Sequence, residues 1–225
     1  MINNEINHNY ILIKKLYSNN TISMILKDYF NEQKQVLSRV GIGEARRVAT
    51  NKKIRKDYIF TNFQSKKVDD IIFYKIQKIV KDNFDITLKY RENYKIGSYY
   101  GDDKGFYMPH SDTQGSSKHG SMGYSHRKIS IVICLSPIES YDGGIFKFVD
   151  LKKNFKFDIG DVIIFKSELL HGVEPITNGI RQVLISFMWD EDNEQNRQKN
   201  WPNVSKLKYL PNDKIDNLNT FVKKN

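Results

Sequence analysis

The sequence predicts an α+β protein: an antiparallel jelly-roll core with N-terminal support helices. Three observations predict it. Apolar residues in the first part of the chain recur at spacings of three and four; after Tyr90 the rhythm changes to short β-like runs; and Gly, Asn and Asp turns separate those runs. At 225 residues the chain can bury a sizeable core, and it reads as one unit in three stretches: a helical support region over 1–87, a jelly-roll over 88–189 and a polar extension over 190–225.

From Tyr10 to about Tyr90 the pattern is mostly helical. It is clearest over 69–80, where Ile72, Phe73, Ile76, Ile79 and Val80 follow the acidic pair Asp69 and Asp70, a start that suits the positive end of a helix dipole. The rhythm breaks around Gly41, Gly43 and Thr50–Lys53, whose fold is not readable. Strands are expected over Leu88–Tyr94, Lys128–Leu135, Ile145–Asp150, Phe155–Asp158, Asp161–Phe165, His171–Ile176 and Arg181–Trp189. Turns are expected at Tyr141–Gly144, Ile159–Asp161 and Thr177–Gly179. The Gly- and Ser-rich stretch between Thr113 and Arg127 reads as a lid or binding loop. Trp201, Pro202, Tyr209, Leu210 and Pro211 are docking points in the polar tail.

Composition narrows the function classes. Apolar residues make up 39% and are spread along the chain, as in a globular protein rather than a disordered one. The run Tyr10–Ile13 is too brief for a signal sequence and no later window could span a bilayer, so a cytoplasmic protein with no membrane partner is expected. Cys134 is the single cysteine, which rules out an internal disulfide and a Cys-ligated zinc cluster. The formal charge of +10 comes from scattered lysines and is read as solvated surface, not as a nucleic-acid footprint.

His110 and Asp112 lie two residues apart, and in an extended strand such positions project from one face, so both could meet one metal. A third ligand from a distant strand would complete a facial triad with three coordination positions free, and His171 is the candidate. Arg181 can hold a carboxylate with two charge-assisted hydrogen bonds only if it shares a face with His171. A two-residue Asn178–Gly179 turn would send it to the opposite face. The sequence reading therefore expects a three-residue loop, Thr177–Gly179 with Gly179 left-handed, which pairs Pro175 with Arg181 and His171 with Ile185.

Order and spacing add to these residues. Tyr94–Gly97, Tyr107–Asp112, Tyr141–Phe146, Gly160–Phe165 and His171–Arg181 follow one another in a chain that resembles the prolyl 4-hydroxylase type of Fe(II)/2-oxoglutarate-dependent dioxygenase, over about Leu88 to Trp189. The resemblance implies a double-stranded β-helix of the cupin-like jelly-roll form, with iron held by His110, Asp112 and His171 and 2-oxoglutarate held by Arg181. It further implies O2 as cosubstrate, release of succinate and CO2, and ascorbate as the reductant such iron commonly needs. Tyr94 and Tyr107 fall where family members often place side chains near the oxoacid or the iron.

On the strand over 128–135, Ile129, Ile131, Ile133 and Leu135 form an apolar face, so Ser130, Val132 and Cys134 would floor the pocket. Trp189 reads as core packing and Arg127 as a surface residue. His8, His119 and His126 lack the strand context of the triad. By resemblance the substrate is a prolyl residue of a peptide or protein; oxidation of a free amino acid or another small molecule is the alternative. Nucleic-acid oxidative demethylation would suit the net charge and Asn93 with Gly97, but it calls for a second arginine six positions after the first, where this chain has Phe187. A non-catalytic jelly-roll binding module would have no need of the full set His110, Asp112, His171 and Arg181.

Overall fold

The structure is a computed structural model that describes residues 4–30, 36–37, 40–42, 47–49, 52–53, 55–63, 66–113, 124–200 and 207–208. His119, most of the Gly- and Ser-rich loop, Gly43, Thr50, and the tail residues Trp201, Pro202, Tyr209, Leu210 and Pro211 lie outside the described residues.

In chain order the strands are β1 (Glu5–Ile6), β2 (Tyr10–Ile13), β3 (Val36–Leu37), β4 (Val40–Ile42), β5 (Arg47–Ala49), β6 (Arg55–Lys56), β7 (Tyr58–Phe63), β8 (Tyr90–Arg91), β9 (Tyr94–Tyr100), β10 (Phe106–His110), β11 (Ile129–Cys134), β12 (Tyr141–Gly143), β13 (Phe146–Phe148), β14 (Lys153–Phe155), β15 (Val162–Lys166), β16 (His171–Val173), β17 (Ile176–Trp189) and β18 (Leu207–Lys208). The helices are α1 (Asn19–Phe30), α2 (Lys66–Phe84) and α3 (Glu191–Asn200). A larger antiparallel sheet runs β1-β2-β15-β11-β17-β9-β7-β3, and a smaller one runs β14-β13-β16-β10-β6. The jelly-roll expected from the sequence is therefore two facing sheets.

Two cores follow from the period-2 alternation of the strands. Ile129, Ile131 and Ile133 of β11, with Ile96, Leu184 and Met188, pack against Ile22 and Ile25 of α1 and Ile72, Phe73, Ile76 and Val80 of α2. The opposite face of the larger sheet carries Tyr99, Cys134, Ile163, Phe165 and Val183, which meet Phe146, Phe148 and Val173 of the smaller sheet. Helix α2 is tied to the larger sheet by a buried cluster in which Arg91 Nε donates to Asp69 Oδ1 (2.6 Å) and the Tyr94 hydroxyl donates to the same oxygen (2.8 Å). Among the described residues no helix is long and apolar enough to cross a membrane.

The stretch before Leu88 supplies α1 and α2, and it also supplies strands, which the helical reading missed. Tyr10–Ile13 pairs with β15 from Tyr10↔Phe165 to Ile13↔Val162, and Tyr58–Phe63 pairs with β9. A four-residue apolar run is too short to show its period, so its state is set by the sheet edge it completes. Phe155–Asp158 also shifts: β14 covers Lys153–Phe155.

The hairpin expected between the His171 and Arg181 segments does not form. β16 pairs with β10 and β13 in the smaller sheet, whereas β17 pairs with β11 and β9 in the larger, so His171 does not face Ile185 across a ladder. The chain crosses from one sheet to the other at Glu174 and Pro175. Gly179 is left-handed (φ 72°) as expected, but it lies within β17 opposite Tyr141, and a Cβ there would sit 2.0 Å from the Ser140 carbonyl oxygen. Gly179→Ala is therefore expected to lower unfolding stability by about 1–3 kcal/mol, measured by urea denaturation; an unchanged midpoint would contradict this close approach.

Candidate metal and oxoacid site

The site begins at a bulge. Tyr107 pairs with Val173 and His110 with His171, so β10 spends one more residue than β16 between those two pairs. The extra length falls at Met108 and Pro109, where a proline with no N–H fits, and Gly172 opposite lets the backbone approach: a Cβ there would meet the Tyr107 carbonyl at 3.0 Å. In a regular strand residues three apart face opposite sides. The bulge instead brings Tyr107 and His110 to one side, with their rings stacked 3.6 Å apart.

His110 and His171, partners across the ladder, have ring centroids 4.3 Å apart. Each imidazole is oriented by its own backbone: His110 Nδ1–H donates to the Met108 carbonyl (2.9 Å) and His171 Nδ1–H to the Leu169 carbonyl (2.8 Å). That tautomer leaves both Nε2 lone pairs free to act as metal donors. Asp112 is not on the strand, contrary to the i, i+2 expectation. It sits in the turn beyond β10, where its backbone N–H donates to the Ser167 carbonyl (3.0 Å), and this contact folds the carboxylate back toward the imidazoles. One Asp112 oxygen is 3.5 Å from His110 Nε2 and the other 3.5 Å from His171 Nε2. One ligand atom from each of the three residues lies within 4.8 Å of the others.

Electrostatics prepare these groups to accept a cation. Burial pushes His171 down to about 4, with Asp112 opposing it, so the ring is neutral near pH 7. Burial disfavours ionisation of Asp112, but His171, His110 and Arg127 outweigh it and hold the carboxyl well below the usual range.

Arg181 lies on the face of β17 that looks into the space between the sheets, together with Val183 and Ile185. It is 1% exposed and surrounded by Tyr99 (5.4 Å to the ring centroid) and Phe157 (5.9 Å), with Tyr141 beside it. Its Nε, Nη1 and Nη2 have no hydrogen-bond partner among the described residues. A buried guanidinium with idle donors fits a bound carboxylate.

Other expected residues divide. Ser130, Val132 and Cys134 lie on the interior face of β11. Cys134 donates its thiol to the Ser136 carbonyl and burial raises its pKa, as for a packing thiol. Tyr107 is at the triad. Tyr94 is not in the pocket, because the alternation of β9 sends it with Ile96 toward α2, where Asp69 accepts from it. Tyr99, on the opposite face, takes the place beside Arg181.

Arg127 is no surface residue. It is stacked between Tyr124 (3.8 Å) and Phe187 (3.7 Å), paired with Glu92, and it donates to the Asp112 carbonyl (3.1 Å). Trp189 is fully buried, its indole N–H donating to Glu194 (2.9 Å). Arg55, ion-paired with Asp57 and lying 4.4 Å over the Tyr107 ring, was not singled out from the sequence, where nothing links it to Tyr107.

No protein-family model matches this chain. Part of it is similar to the PKHD-type hydroxylase YbiX of Escherichia coli O1:K1, at 37% identity over 73 residues, and to that of Shigella boydii serotype 18, at 36% over 73. The matched segment is 32% of this chain and 32% of each of those proteins, so the chain spans about a third of the length of the curated relatives it matches.

The solved structures extend the likeness to most of the chain. A viral collagen prolyl hydroxylase of Paramecium bursaria Chlorella virus-1 superposes with a TM-score of 0.59 at 18% identity, covering 80% of this chain and 94% of that one. The chain has the prolyl hydroxylase fold. A Trichoplax adhaerens prolyl hydroxylase, solved with a peptide fragment of the hypoxia inducible factor oxygen degradation domain, gives a TM-score of 0.63 at 16% identity over 84% of this chain and 87% of that one. A Pseudomonas putida prolyl-4-hydroxylase gives 0.59 at 15% over 82% and 94%. Fe(II) and 2-oxoglutarate fit the donor set that this prolyl hydroxylase fold presents: two imidazoles, a carboxylate and a guanidinium with no hydrogen-bond partner among the described residues.

Within this prolyl hydroxylase fold His126, absent from the metal cluster, is nevertheless fully buried, edge-on to Trp189 (4.8 Å) and 3.7 Å from Glu92. Burial lowers its pKa below 6.5. The unfolded chain therefore takes up this proton first as pH falls, and the contribution of neutral His126 to stability is lost below about 6.5. The unfolding free energy of the wild type relative to His126→Phe is expected to fall as pH drops through that range; a difference that stays constant with pH would contradict it.

Proposed function

We propose that this chain is an Fe(II)- and 2-oxoglutarate-dependent dioxygenase that hydroxylates a C–H bond, with a prolyl residue of a peptide or protein as substrate. The observation that carries the reading is Arg181, a buried cation with idle donors facing the interior that His110, Asp112 and His171 border. A metalloprotein that bound only its ion would have no use for such a group.

In this reading His110, Asp112 and His171 would hold Fe(II), three ligands of the type that suit non-haem iron. Arg181 holds the far carboxylate of 2-oxoglutarate. When bound, iron and 2-oxoglutarate supply the oxidising chemistry, with O2 consumed and succinate and CO2 released. The chain's own task is positional. Phe146, Phe148 and Phe165 pack around His171 and keep water from the inner side of the site, while the bulged β10 and the turn at Asp112 aim the donors.

Support for a prolyl substrate comes from the neighbours that share the fold, which are prolyl hydroxylases, one of them solved with a peptide. Phe187 speaks against a nucleic-acid demethylase, because it stacks on Arg127 where that chemistry would call for an arginine. Anaerobic Fe(II) titration followed by O2-dependent succinate release in the presence of proline-containing peptides tests the reading. The wild type is expected to bind one iron and couple succinate to a gain of one oxygen in a peptide, and His110→Ala to lose both metal binding and turnover. Undiminished turnover in His110→Ala would remove the proposal.

A further inference from the structure

Asp112 receives a hydrogen bond that the ligand reading does not require. The Ser130 hydroxyl donates to its Oδ2 (2.7 Å) from β11 in the opposite, larger sheet. An ionised carboxylate can only accept, so Asp112 sets the direction of every proton behind it. With its one proton spent on Asp112, Ser130 Oγ must accept from Ser167 Oγ, 2.8 Å away. Ser167 in turn lies on the segment whose carbonyl receives both the Asp112 N–H (3.0 Å) and the Ser111 hydroxyl (3.2 Å). Ser130 and Ser167 are 1% exposed, so water does not compete for these bonds.

From this ladder, and resting on the metal-site reading above, we infer that Ser130 is a positioning residue that holds Asp112 as a one-oxygen ligand. The two Asp112 oxygens are equally near the imidazoles, Oδ1 3.5 Å from His110 Nε2 and Oδ2 3.5 Å from His171 Nε2, and it is the Ser130 hydroxyl on Oδ2 that sets them apart and leaves Oδ1 as the oxygen offered to the metal. The consequence is an open coordination position. A carboxylate free to rotate can bind a metal through both oxygens, and that would occupy a position that a two-point oxoacid needs. Ser130 thus couples the larger sheet, which carries Arg181, to the ligand geometry on the smaller one.

The test uses Co(II) as the probe, with affinity and the visible absorption band read before and after adding 2-oxoglutarate, on the full chain. Wild type and Ser130→Thr, which keeps the hydroxyl, are expected to bind Co(II) alike and to show the same band and the same change with 2-oxoglutarate. Ser130→Ala is expected to bind Co(II) about 10–100-fold more weakly, with an altered band before 2-oxoglutarate is added and a diminished response to it. Ser130→Cys, close to serine in size but a weak donor, should fall between, and it carries the test if the alanine variant fails to fold by circular dichroism. A folded Ser130→Ala or Ser130→Cys with wild-type affinity and band overturns the inference and leaves the metal site standing. Equal Co(II) binding by wild type and His171→Ala overturns the metal site itself, and this inference with it.

Discussion

A guanidinium sealed between two sheets, with no counter-ion among the described residues, is the constraint around which this molecule is arranged. Arg181 is surrounded by Tyr99, Phe157 and Tyr141, and its nitrogens have no acceptor among the described residues. Burying an unpaired charge costs several kcal/mol, a large part of the roughly 5–15 kcal/mol by which domains of this kind are stable. A fold can carry that cost if an anion that binds only the native state offsets it. Arg181 faces the same interior as the cluster of two imidazoles and a carboxylate, and in the proposed reading a dicarboxylate with one end on a metal and the other on Arg181 would answer both features at once.

The two-sheet architecture explains why neither half of this arrangement could stand alone. His110 and His171 are neighbours on the smaller sheet, Arg181 and Ser130 lie on the larger, and facing sheets pack about 10 Å apart. That gap is lined by aromatic rings, so charges inside it interact strongly with one another and weakly with solvent. Helices α1 and α2 cover the outer face of the larger sheet, and the buried Asp69, Arg91 and Tyr94 cluster ties α2 to it. These helices pack on the face of that sheet opposite to the one that carries Arg181 and Ser130.

What could be read from residues alone was the local chemistry and the alternation of strands. The inward set Ser130, Val132 and Cys134 follows from a clean period of two, and the His110, Asp112, His171 and Arg181 side chains were named because their types and order suit one chemistry. Strand partners were not readable, since pairing is a property of the assembled sheet: His171 and Arg181 face one interior from different sheets, where the sequence suggested one hairpin.

A bulge is equally silent, because an extra residue at Met108 and Pro109 looks like any other pair until its partner strand is known. Tyr94, expected near the oxoacid, faces α2, and Tyr99 stands beside Arg181, as one residue of register decides the face. Arg127 looked like surface because Glu92, its partner, is 35 positions away and Tyr124 and Phe187 close over it only in the fold.

The most direct test of the Arg181 constraint is calorimetric titration of 2-oxoglutarate into the Mn(II)-loaded protein under anaerobic conditions, wild type against Arg181→Gln. Two charge-assisted hydrogen bonds at about 1.5–3 kcal/mol each imply that the glutamine variant binds 2-oxoglutarate at least ~100-fold more weakly while retaining Mn(II). Equal affinity in the two proteins would contradict the assignment of that buried cation to the oxoacid.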